Sequence, residues 1–167
     1  MDDHILSVIE NMVLVMERSP HAFAKMEEEA LRDHILVQLN GHYEGQATGE
    51  TFNFTGKTDL LIRADGKNAF VGECKFWSGP KKFLETIDQL LGYTTFRDTK
   101  TALIIFNRNK EHTSVLASVK ETLQQHPLFK RDLGNRGESH FRSIFRHPGD
   151  PQRDIYVATL VFHIPTV

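Results

Sequence analysis

The sequence predicts an α/β domain with a mixed β-sheet. Segments with apolar residues at helical spacing alternate with short runs of β-formers, and two of those runs flank an Asp65-Gly66 turn signal. A helix-period segment over 81–96 then leads into the apolar run Thr101 to Phe106, as a buried strand requires.

Taken in order, residues 4–17 carry Ile5, Val8, Ile9, Met12, Val13 and Met16 at spacings of three and four, which is one apolar helix face. Ser19-Pro20 ends it. A second helix is expected from His21 to Asn40, stopped by Asn40-Gly41, with Phe23, Met26, Ala30, Leu31, Ile35 and Leu39 available for burial. The glycine-rich stretch from Gly41 to Gly56 is expected to be irregular, with one short strand within Glu50 to Phe54. Thr58 to Arg63 and Asn68 to Phe76 read as antiparallel neighbours around the turn signal. Ser78-Gly79-Pro80 precedes the helix over 81–96, and another helix is expected over 113–125. Two closing strands, 139–145 and 155–162, flank the turn-rich stretch from His147 to Gln152 and make a C-terminal hairpin. No repeat or linker interrupts the chain, so one domain over 1–167 is expected, with its core over 21–107.

At 167 residues, 40% hydrophobic and 25% charged, the composition is that of a soluble globular domain. A single cysteine, Cys74, excludes an internal disulfide, and the acidic start Met1-Asp2-Asp3 lacks the positive region of a secretory signal, so a cytoplasmic location is expected. The longest apolar run, Met12 to Met16, is far below the roughly 18 residues of a membrane span. Net charge is −2, yet residues 1–56 hold 3 Lys/Arg against 10 Asp/Glu while residues 97–153 hold 11 against 6. A basic second half can track phosphates, although a solvated surface of mixed charge explains it equally well.

The pattern that decides the functional reading is Asp59, then thirteen residues, then Glu73-Cys74-Lys75, laid across the two strands of the expected hairpin. Alternation along a strand sends Glu73 and Lys75 to one face and Cys74 to the other. Two carboxylates and a backbone carbonyl offer the hard oxygen donors that Mg²⁺ requires. Both acids lie inside apolar runs, where a carboxylate is costly to desolvate without a compensating cation. A salt bridge from Lys75 to Glu73 or Asp59 is the plain structural alternative.

The order helix, strand, hairpin with Asp and Glu-x-Lys, helix, strand resembles the αβββαβ core of the PD-(D/E)XK, restriction-endonuclease-like nucleases. On that resemblance the fold gains an extra N-terminal helix, a C-terminal helix and a β-hairpin. Gln89 to Tyr93 matches the Gln-x-x-x-Tyr motif of the branch containing recombination exonucleases and phage-defence nucleases. The resemblance implies a Mg²⁺- or Mn²⁺-dependent deoxyribonuclease, with Asp59, Glu73 and the Cys74 carbonyl at the metal, Lys75 serving the water, and Gln89 and Tyr93 contacting the DNA strand. It also implies a further acid from the first core helix. Helical geometry places Glu28 beside Leu31, Ile35 and Leu39, and so favours it over Glu27 and Glu29. Thr58 stands where the family's name has proline. A catalytically idle member of the fold that binds nucleic acid or a protein is the rival expectation, and RNA is not distinguished from DNA. A homodimer and attachment to a larger chain both remain open.

Other signals carry less. Gly56-Lys57-Thr58 imitates the end of a phosphate-binding loop, but Gly49 is two positions too far away and a strand follows where a helix is needed. The histidines show no zinc-ligand spacing. Trp77, Arg97, Arg108 and Lys110 lie near element ends where a nucleic acid can pass, and packing or solubility explains them as well.

Overall fold

The computed structural model describes residues 2–43, 51–53, 59–64, 67–94 and 100–165. Along the chain these form α1 (Asp2–Arg18), α2 (Pro20–Phe23), α3 (Glu28–Tyr43), β1 (Thr51–Asn53), β2 (Asp59–Ala64), β3 (Lys67–Phe76), α4 (Pro80–Tyr93), β4 (Lys100–Asn107), α5 (His112–Gln125), β5 (Phe129–Asn135), β6 (His140–His147) and β7 (Asp150–His163). The seven strands make one mixed sheet in the order β1-β2-β3-β4-β7-β6-β5. Its centre, β3-β4-β7, is parallel, and the flanking pairs are antiparallel.

Parallel strands are stable when both faces are covered, and β4 meets that condition, burying every residue from Thr101 to Asn107. Ala102, Ile104 and Phe106 join Cys74, Ala158 and Leu160 in a core with Ile5, Ile9, Val13 and Met16 of α1 and Leu31, Ile35 and Leu39 of α3. Leu103 and Ile105 face the other way, with Val71, Val157 and Val161, against Phe83, Ile87 and Leu90 of α4 and Val115 and Val119 of α5. The sheet is thus the middle layer of three. Among the described residues no helix is long and apolar enough to cross a membrane.

Two elements differ from the sequence expectation. The helix expected from His21 to Asn40 is two helices, because α3 begins afresh at Glu28. Glu28 and Glu29 then sit in a first turn, where carboxylates offset the positive end of the helix dipole. The C-terminal part holds three strands instead of a hairpin, since β5 pairs along the outer edge of β6. Between β3 and α4, Gly79 takes φ 101° and ψ 167°, a backbone region that essentially only glycine enters. This glycine lets the chain leave β3 and start α4 at Pro80, whose missing N–H costs nothing at a helix start.

Candidate metal and nucleic-acid site

The β2–β3 hairpin sets the geometry. Ala64 pairs with Lys67 and Arg63 with Asn68, so the connection has two residues, but the next pair is Ile62 with Phe70. Ala69 is the extra residue of a β-bulge. With Ala69 paired in regular register instead, the two-residue connection would set Asp59 opposite Gly72 and put Asp59 and Glu73 on opposite faces. With the bulge, Asp59 stands directly opposite Glu73. A metal site across this hairpin requires either an odd loop or a bulged two-residue turn, and the chain uses the bulge. A turn of this kind favours Gly66 as its left-handed residue, a position outside the described residues.

Backbone directions on β3 follow from its other neighbour. Trp77 donates its N–H to the Phe106 carbonyl of β4 at 2.9 Å, so odd-numbered residues at this end of β3 turn their backbone groups toward β4. Asp59 and Glu73 are therefore a non-hydrogen-bonded pair, the kind with the shorter Cα separation. Even-numbered residues turn toward the β2 side, which is the direction of the Cys74 carbonyl. On the same grounds the Phe76 N–H points there, and it donates to Oε2 of Glu28 at 3.1 Å.

Glu73 is 2% exposed, beside Leu103 of β4, while Lys75 is half-buried beside Ile105. By alternation both occupy the face of β3 that carries Val71 and packs on α4, whereas Cys74 is fully buried in the core under α1 and α3. Of the three glutamates on α3 or just before it, Glu27 and Glu29 are exposed, and Glu28 is the one that reaches the sheet. Gln89 and Tyr93 are exposed on α4, Tyr93 to 44%, and Tyr93 lies at the flank of the face that buries Phe83, Ile87 and Leu90. The register thus sets Asp59 opposite Glu73 with Lys75 two residues on, Glu28 reaches the Phe76 N–H from α3, and Gln89 and Tyr93 are exposed on α4.

The donors present suit a hard divalent cation. The register pairs two carboxylate positions, one of them with its side chain buried, and the Cys74 carbonyl beside them points in the plane of the sheet toward β2. Among the described residues no group of three or more His, Cys, Asp or Glu side chains is placed to hold a metal. The two histidines buried among the described residues serve elsewhere. His126 Nε2 lies 2.7 Å from Asp88 Oδ1, tying the end of α5 to α4, and His140 Nδ1 lies 2.8 Å from Glu10 Oε1, tying β6 to α1. Burial holds His140 below the ordinary histidine range; Glu10 opposes that shift, and Arg136 and Arg142 reinforce it.

Sequence reasoning set Arg108 aside as a residue near a strand end. Its guanidinium carbon in fact lies 4.0 Å from the centroid of the Phe76 ring, next to Lys75 in sequence, a contact that no spacing rule reveals. No protein-family model matches the chain, and comparisons with curated proteins and with solved structures give no match.

Proposed function

We propose that the protein is a metal-dependent nuclease of the PD-(D/E)XK type that hydrolyses DNA phosphodiester bonds with Mg²⁺ or Mn²⁺. The observation that supports this best is the bulged register opposing Asp59 to Glu73, with Lys75 two residues on along the same strand. The element order α3-β1-β2-β3-α4-β4 around that register supports it further.

Asp59, Glu73 and the Cys74 carbonyl would hold the cation. When bound, such an ion polarises phosphoryl oxygens and acidifies water. Lys75 orients the attacking water or offsets the charge that grows on the phosphate. Glu28 acts through the backbone: its carboxylate holds the Phe76 N–H and so fixes the peptide that follows Lys75. Gln89 and Tyr93, exposed on α4, contact the strand as it passes the sheet.

The test is incubation of the purified protein with linear, circular and single-stranded DNA and with RNA, each with Mg²⁺, Mn²⁺ or EDTA. Cleavage of DNA that EDTA stops is the expected result. Binding of DNA with no cleavage under any metal would make the protein an idle member of the fold, and cleavage of RNA alone would change its substrate.

A further inference from the structure

Arg108 follows directly on β4, whose last pairs with β3 set Ile105 beside Lys75 and Phe106 beside Phe76. It thus stands just beyond the carboxyl ends of two parallel strands, the place where open α/β sheets receive ligands. Its backbone is held firmly. The fully buried Asn107 accepts the Asn109 N–H on Oδ1 at 2.9 Å, contacts His112 Nδ1 through Nδ2 at 3.0 Å, and accepts the Ile164 N–H on its carbonyl at 2.9 Å.

The side chain is half-buried, with one face of the guanidinium on the Phe76 ring. Nε and Nη2 are both shielded from water, and among the described residues neither has a hydrogen-bond partner. Among the described residues no carboxylate pairs with Arg108. A buried cationic donor with nothing to bind is unfavourable, and a fold that needed only bulk here could use an apolar side chain. Two guanidinium nitrogens that can both face one acceptor group are the edge with which arginine takes a carboxylate or phosphate in bidentate fashion.

We infer that Arg108 is an anion-binding residue whose Nε–Nη2 edge takes phosphate oxygens of a nucleic-acid strand at the carboxyl end of β3. Because the residue is half-buried, a small rotation over the Phe76 ring turns that edge outward. The aromatic contact keeps the guanidinium in place without consuming its donors. The phosphate is then held beside the strand end where Glu28 fixes the Phe76 peptide. That the anion belongs to a nucleic acid rests on the nuclease reading; that Arg108 binds an oxyanion rests on its own geometry.

The experiment is fluorescence-anisotropy titration of a labelled DNA duplex with the full chain in EDTA, over a series of salt concentrations, for wild type, Arg108→Ala and Arg108→Lys. The alanine variant should bind on the order of tenfold more weakly, and its log K against log salt slope should be shallower by about one. Lysine should restore the slope, because it restores the charge, but only part of the affinity, because it lacks the fork. A structural role alone would lower the thermal midpoint and leave the slope unchanged. Unchanged affinity and slope in Arg108→Ala overturn the inference. Inorganic phosphate competing as well as unlabelled duplex, at equal phosphate concentration, overturns the assignment to a strand. Parallel Mg²⁺ cleavage assays separate the two readings. Arg108-dependent binding without cleavage upholds the inference while the nuclease reading fails, and cleavage with Arg108-independent binding does the reverse.

Discussion

Lys75 is half-buried beside Ile105 of β4, so its removal takes away charge without emptying a fully buried position. Lys75→Ala should abolish metal-dependent cleavage while the urea unfolding midpoint moves by no more than about 1 kcal/mol in stability terms. Equal cleavage by the purified variant would falsify its assignment. His140 and His112 supply a different residue-scale property. Burial lowers both below the ordinary histidine range, and His163, stacked on His112 at 4.7 Å between ring centroids, adds to the shift at His112. A depressed histidine resists protons that the unfolded chain accepts, so its contribution to stability is present above about pH 6.5 and is lost as pH falls through the folded-state value. Urea midpoints should drop between pH 7.5 and pH 5.5, and less so in His140→Gln. An equal drop in both proteins would remove His140 from the cause.

At the scale of elements, the bulge at Ala69 reconciles a two-residue turn with Asp59 opposite Glu73. Deleting Ala69 gives an unbulged hairpin in which every pair from Ile62 with Phe70 to Asp59 with Glu73 survives. The deletion variant should therefore keep cleavage and metal affinity within a fewfold of wild type. A folded deletion variant that had lost both would mean that the bulge serves the site by something other than register. The need for such a correction was legible in the sequence, because a regular two-residue Asp65-Gly66 turn pairs Ala64 with Lys67 and thus sends Asp59 and Glu73 to opposite faces. Its position was not, since any residue of β3 can be the unpaired one. The strand β5 escaped for another reason. Phe129 to Asn135 is an exposed edge with charges, two register shifts and Gly134 at φ 87°, so it lacks the alternation by which buried strands announce themselves. The break before α3 was hidden because apolar spacing continues across it, and only the run of glutamates marks a new helix start.

For the molecule as a whole, the sheet decides which side chains can meet. Helical periodicity identified the buried faces of α1, α3 and α4, and the apolar run in β4 identified the sheet centre. These are local signals that tertiary packing reinforces. The acids and the lysine were legible as a set because a hairpin joins them within seventeen residues, Asp59 to Lys75. Arg108 was not, because the stretch that brings it to Phe76 includes all of α4 and β4. The proposed activity depends on Asp59 and Glu73 together holding a divalent cation. Calorimetric titration of Mn²⁺ into wild type and into Asp59→Ala tests it most directly. One saturable site in wild type, weakened at least tenfold in the variant, is the expected result. Undiminished Mn²⁺ affinity in folded Asp59→Ala would place the metal elsewhere and contradict it.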